Sequence, residues 1–174
     1  MQRGEGYGST SAILLRSCGR DIAVLVLADQ KPRALELPTK FTLPGGSIKE
    51  GESEERALVR EIKEETGLIV SPAQCIRVRG FSKEFKEQGT WHTFWFVQNK
   101  WKGALHQNGV RGETGKPQWW GVCLALEKKD GLHFSHRCAL YHALKEGGFA
   151  NDFKDIAHLL REHEDLLTCR HKAE

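Results

Sequence analysis

Apolar residues run unbroken at 12–15 (AILL) and 22–27 (IAVLVL), separated by a short polar stretch at 17–20. Segments 11–16 and 21–27 are therefore predicted to be two strands joined by a short turn. QCIRVRGF (74–81), WHTFWFVQN (91–99) and QWWGVCL (118–124) are rich in β-branched and aromatic residues and predict three more strands. A loop over 28–40 leads into FTLPGG, where Pro44, Gly45 and Gly46 predict a tight turn with exposed backbone. The period then changes. Leu58, Ile62 and Thr66 form a stripe at helical spacing, with Ser53 a good N-cap and Gly67 a good C-cap, so a helix is expected over 53–66. Two further helices close the chain. One spans 135–146, capped by Ser135, and the other spans 151–167, with Phe153, Ile156, Ala157, Leu160 and Leu167 near helical spacing. Their expected role is to cover the sheet, and a homodimer contact through the last helix is the alternative. Strands on either side of a central helix, with helices on both faces, predict an α/β fold: an α/β/α sandwich around a mixed β-sheet.

Composition narrows the setting more than the function. At 174 residues, without repeat, linker or low-complexity stretch, the chain reads as one domain over 1–174, with 151–174 a C-terminal helical extension. No apolar run is long enough to span a bilayer, and the first residues lack the basic start and cleavage site of a signal peptide. A soluble cytoplasmic protein is expected. The five cysteines are odd in number and contain no C-x-x-C pair, which predicts reduced, mostly buried thiols rather than disulfides or zinc. A net charge of +3 is too small to argue for nucleic acid.

The chemistry is concentrated at 46–68, GSIKEGESEERALVREIKEETGL. Glu61, Glu64 and Glu65 stand at i, i+3 and i+4, so a helix puts all three carboxylates on one outward-looking face, with Glu54 near it. Like charges so placed cost roughly 0.2–0.5 kcal/mol per pair, and a hard divalent cation, which takes oxygen ligands, offsets that cost. Arg60 and Lys63 lie off the stripe and can orient it from the side. Glu52, on the preceding loop, is placed to pair with Arg60. The bland alternative is a solvated acidic helix face.

The spacing argues against that alternative. Gly46, Glu52, Arg60, Glu61, Ile62, Glu64, Glu65, Gly67 and Leu68 match all nine constrained positions of the Nudix box, and this region is identified as that of a Nudix hydrolase. The resemblance implies a Nudix-type fold and hydrolysis of a nucleoside diphosphate linked to another moiety. It implies a Mg²⁺ site, with Mn²⁺ as substitute, formed by Gly45, Glu61, Glu64 and Glu65. Arg60 and Glu52 would support that site, and Glu64 or Glu65 would take a proton only if not fully occupied by metal. GETGKPQWWGV further resembles a MutT-type stretch, making Glu113 a candidate catalytic loop glutamate; an ordinary exposed loop acid is the alternative.

Specificity is less well marked. Phe81, Phe85 and Trp119 are candidates for stacking on a base, and His136 for contacting one, against plain roles in core and cap. His133, His136 and Cys138 fit no common zinc spacing. Arg77, Arg79, Lys83 and Lys86 interleave with Phe81 and Phe85, as a phosphate or RNA contact would, or a solvated strand face. The chain lacks the proline beyond the box that marks many ADP-ribose enzymes, the tyrosine of dinucleoside polyphosphate enzymes, and a coenzyme A motif. A MutT-like nucleoside triphosphate pyrophosphohydrolase is the leading expectation. RNA 5′-end hydrolysis, a nucleotide-sugar or ADP-ribose pyrophosphatase, and a non-catalytic nucleotide-binding regulator are the alternatives.

Overall fold

The unbroken apolar runs have a direct structural cause: the two strands that carry them are buried on both faces. A computed structural model of the chain describes residues 8–19, 21–29, 40–85, 90–98, 101–110, 114–127, 131–147 and 154–165, with backbone only at 83–85, 90, 98 and 154–155. Strand β1 (Ser9–Cys18) pairs antiparallel with β2 (Asp21–Ala28), Leu15 lying opposite Val24. Ala12 and Leu14 point into one core and Ile13 and Leu15 into another, so no position in the run is left for a polar residue.

Two short strands follow, β3 (Phe41–Thr42) against β2 and β4 (Gly45–Ser47) against β1. Helix α1 (Glu54–Thr66) and a 3₁₀ turn (Pro72–Gln74) lead to β5 (Ile76–Phe85) and β6 (Thr90–Gln98). After β7 (Gln118–Gly121) come α2 (Val122–Glu127), α3 (Phe134–Glu146) and α4 (Lys154–Glu162). The path through the sheet is β3-β2-β1-β6-β5, with β4 also on β1 and β7 on β2. β1 and β6 are parallel and their neighbours antiparallel, so the sheet is mixed. A parallel pair needs a crossover, and α1 lies within it.

Helix α1 covers one face through Leu58 and Ile62, packed with Leu14, Leu25, Trp95 and Val97. Full burial of Leu58 is worth about 2 kcal/mol. Helices α2, α3 and α4 cover the other face, where Leu126, Leu140, Leu144 and Leu159 meet Ile13, Val24, Phe94 and Phe96. This is the expected α/β sandwich. No helix among the described residues is long and apolar enough to cross a membrane.

Several local expectations are corrected. The strand read over 118–124 ends at Gly121 and continues as α2, because Val122, Ala125 and Leu126 bury at i, i+3 and i+4, a period too short-lived to detect in seven residues. Helix α3 starts at Phe134, with His133 rather than Ser135 at its N-cap and no side-chain cap bond. Helix α4 runs over Lys154–Glu162, inside the expected 151–167; Phe153 and Leu167 lie outside the described residues. Leu159 joins Ile156 and Leu160 in the core, so this helix covers the sheet side. The thiols are not mostly buried: Cys18 and Cys123 are exposed, Cys75 is partly buried, and Cys138 alone of these four is buried. Cys18 sits at the β1–β2 turn and Cys123 on the open side of α2, where the core does not reach. Cys169 lies outside the described residues.

Candidate active site

Both ends of α1 are chemically marked. Ser53 Oγ accepts the Arg56 N–H (3.3 Å), and Gly67, at φ 80°, donates its N–H to the Lys63 carbonyl. Between these caps Leu58, Ile62 and Thr66 are buried, which fixes the rotation of the helix and hence of its carboxylates. The acidic face is not uniformly outward, as the spacing had suggested. Glu65 is only 5% exposed, because its Oε2 turns inward to accept the Gly45 N–H at 2.7 Å. The Glu61 side chain is 14% exposed and that of Glu64 51%, so the three run from covered to open. Glu54 departs from the set, accepting a hydrogen bond from Thr93 Oγ1 at 3.1 Å.

The expected turn is confined to a bend at Pro44, and the two glycines that follow are extended. β4 lies flat on β1, Gly45 opposite Ser11 and Gly46 opposite Thr10. The glycines allow close approach: a Cβ on Gly46 would stand 2.5 Å from Glu61 Oε1, and one on Gly45 would meet the Thr10 carbonyl. Glu61 therefore sits directly on the Gly46 backbone, where any side chain would block it, while a side chain at Gly45 would collide with β1.

Arg60 binds the set together. Its Nε and Nη2 donate to the two Glu52 oxygens at 2.9 and 2.8 Å, Nη1 donates to Glu61 Oε1 at 2.6 Å and Glu64 Oε2 at 3.3 Å, and Nη2 also reaches the Ser47 carbonyl at 3.0 Å. A planar five-donor fork suits this task and an ammonium would not. The hydrogen bonds from Arg60 hold the Glu52 carboxyl down at about 2, and those to Glu52 and Glu61 raise the guanidinium above its ordinary value. Among the described residues no three acidic, histidine or cysteine side chains converge as they stand on one metal position, since Arg60 and Gly45 hold the carboxylate oxygens. The donor chemistry still suits a hard divalent cation: three carboxylates on adjacent turns beside a glycine cradle, with Glu64 open to solvent.

The remaining candidates are dispersed. Phe81 is a core residue, packed on Phe94 (5.6 Å) and His142 (5.8 Å), so it offers no face to a base. The Trp119 ring is covered by the Arg16 guanidinium at 4.3 Å and by Trp101 at 5.6 Å. His136 is nearly buried and its Nδ1 accepts the Leu43 N–H at 2.9 Å. Glu113 and the Phe85 side chain lie outside the described residues, as does Lys86, while the side chain of Lys83 is not described. Arg77 is exposed and 3.9 Å from Glu54. His133 pairs with Asp29 (3.2 Å) and its ring lies 5.6 Å from that of His136, whose Nδ1 is on Leu43; among the described residues these two and the buried Cys138 do not converge on one metal position. Sequence reasoning missed His92, whose ring nitrogens lie 2.6 Å from Ser9 Oγ and 3.0 Å from Ser11 Oγ; its alternation with Phe94 and Phe96 marks it only as a residue on the core face of the strand.

Comparison with known proteins bears on the family and the fold. The chain is 31% identical over 94 residues to an 8-oxo-dGTP diphosphatase of Escherichia coli, covering 54% of this chain and 67% of that one. Across the curated relatives the matched stretch covers between 28% and 69% of their length. Among solved structures, a MutT/nudix family protein from Enterococcus faecalis superposes with a TM-score of 0.64 at 16% identity, covering 92% of this chain and 69% of that one. The NUDIX domain of Shewanella oneidensis NrtR, complexed with ADP ribose, gives 0.62 at 20% identity, covering 79% and 86%. These two likenesses speak to the fold. The model of the NUDIX domain matches residues 7–140, and the chain belongs to that family of hydrolases.

Proposed function

We propose that the chain is a Mg²⁺-dependent nucleoside triphosphate pyrophosphohydrolase of the MutT kind. The observation that carries this reading is the Arg60 network, which ties Glu52, Glu61 and Glu64 to the loop whose Gly45 holds Glu65. Kinship with an 8-oxo-dGTP diphosphatase supports the substrate class. Glu61, Glu64, Glu65 and the Gly45 carbonyl would hold the ion. A divalent cation held there would supply neutralisation of diphosphate charge and a lowered pKa for the attacking water. Arg60 keeps Glu61 and Glu64 oriented, and Glu52 keeps Arg60 in place. Glu65 is committed to Gly45, whereas the exposed Glu64 meets Arg60 only at 3.3 Å, so a Glu64 oxygen is the better proton acceptor within the box. Glu113 is the second candidate for that proton.

The test is a phosphate-release screen with Mg²⁺ or Mn²⁺ over nucleoside triphosphates, including oxidised ones, ADP ribose, dinucleoside polyphosphates, coenzyme A and triphosphorylated RNA. Turnover should be highest on a triphosphate and fall on the order of 10²-fold in Glu64→Gln and Glu65→Gln, because each removes an anionic ligand of the cation that would neutralise diphosphate charge. Unchanged turnover in both variants would sink the reading.

One observation favours RNA 5′ ends as a second reading. Arg56 and Lys63, exposed and without ion pairs among the described residues, line a groove of about 580 Å³ with Arg60, Glu64 and His106. A longer polyanion leaving the box could follow it. Preference for triphosphorylated RNA, with binding that weakens steeply with salt, would support this reading over the first.

A further inference from the structure

We propose that His136 and His92 are positioning residues that fix the glycine loop against Glu65 from the opposite side of the sheet. The inference rests on the metal-site reading above. Three successive loop residues have their backbone specified: Leu43 N–H donates to His136 Nδ1 (2.9 Å), Pro44 carbonyl accepts from Ala12 N–H (2.7 Å), and Gly45 N–H donates to Glu65 Oε2 (2.7 Å). The first of these bonds comes from α3 and the last from α1. The loop is thus held between the two helical layers at adjacent points.

His136 is suited to that role by its tautomer. A ring nitrogen that accepts an N–H carries no proton, so the ring's proton in its neutral form is on Nε2. His92 acts one step further back. It bonds Ser11, which lies opposite Gly45 in the β1–β4 register, so close that a Cβ on Gly45 would stand 2.6 Å from Ser11 Oγ. The two imidazoles stack at 5.9 Å, and Phe94 packs against both, at 4.6 Å from His92 and edge-on at 5.4 Å from His136. Rotating either ring would disturb the other. Ligand geometry must be held to about 0.5 Å, and bonds to the groups carrying ligands supply that precision.

The discriminating variants exploit where each amide places its oxygen. In His136→Asn the Oδ1 falls near the native Nδ1 and can accept the Leu43 N–H; in His136→Gln the oxygen falls nearer Nε2 and cannot. Mn²⁺ binding to the full chain, followed by the paramagnetic signal of free ion, gives a readout independent of turnover. His136→Gln and His136→Ala should bind Mn²⁺ about 10- to 100-fold more weakly and lose kcat with little change in KM, while His136→Asn stays within about threefold of the unaltered chain. Ser11→Ala should weaken Mn²⁺ binding in the same direction, and carries the test if His136→Ala does not fold. Wild-type Mn²⁺ affinity in His136→Gln, or equal loss in the Asn and Gln variants, would overturn the proposal. Absence of Mn²⁺ binding in the unaltered chain overturns it together with the metal-site reading. Mn²⁺ binding without turnover of any triphosphate overturns the substrate reading alone.

Discussion

Arg60 is where the local electrostatics are decided, and its partner Glu52 gives them a pH signature. The Glu52 carboxyl lies at about 2 in the folded chain, against 4.5 for the free group, and a carboxyl so lowered stabilises the fold above the unfolded value. That contribution is fully present at neutral pH and is lost as pH falls from about 4.5 toward 2. Solvent screening at this partly open pair reduces it to about 1 kcal/mol. Urea denaturation of the unaltered chain and Glu52→Gln should therefore show a gap of that size at pH 7 that narrows to about half by pH 3 and closes only toward pH 2. A gap that stays constant with pH would mean that the charge of Glu52 is not what the fold uses. Pairing of Glu52 with Arg60 was legible in the sequence because the two stand only eight positions apart within one motif. His92 was not, since its serine partners lie 83 and 81 positions away and nothing local marks the ring as more than a core residue.

Element by element, legibility followed the strength of the end signals. Helix α1 was readable almost to the residue because a serine and a glycine close it, while β4 and α2, at three and six residues, are shorter than the windows in which a period declares itself. Glycines that suggested a turn at 44–46 instead serve close contact, a distinction set by Thr10, Ser11 and Glu61 from elsewhere in the fold. The two caps of α1 should also differ in worth. Ser53→Ala removes one side-chain bond to an N–H and should cost about 1 kcal/mol. Gly67→Ala forces an L-residue to φ 80° and brings its Cβ to 2.6 Å from the Ala104 carbonyl, so a loss of about 2–3 kcal/mol is expected. Denaturant midpoints at constant m-value would rank them, and equal losses would show that the 67–104 contact yields freely.

At the scale of the molecule, the β1 to β6 sheet separates two cores, and the site draws on both: its carboxylates ride on α1, while the loop beside them is tied to α3. Only the α1 half was visible in the sequence, because the motif is contiguous there and the other half exists only through folding. The same layering bears on α4, which lies beyond residues 7–140 matched by the family model. Its Ile156, Leu159 and Leu160 are buried in the core shared with α3, and Tyr141 Oη donates to the Leu160 carbonyl at 2.8 Å. A helix so attached should unfold with the sheet rather than before it. Leu159→Ala is then expected to lower global stability by about 2–4 kcal/mol through transfer and cavity terms, with turnover in native buffer little changed because α4 supplies none of the candidate catalytic groups. Arg161→Ala, on the exposed side of the same helix, should stay within about 0.5 kcal/mol. Calorimetric unfolding that shows a separate early transition for α4, or a Leu159→Ala loss no larger than that of Arg161→Ala, would make α4 an appendage instead of part of the cooperative unit.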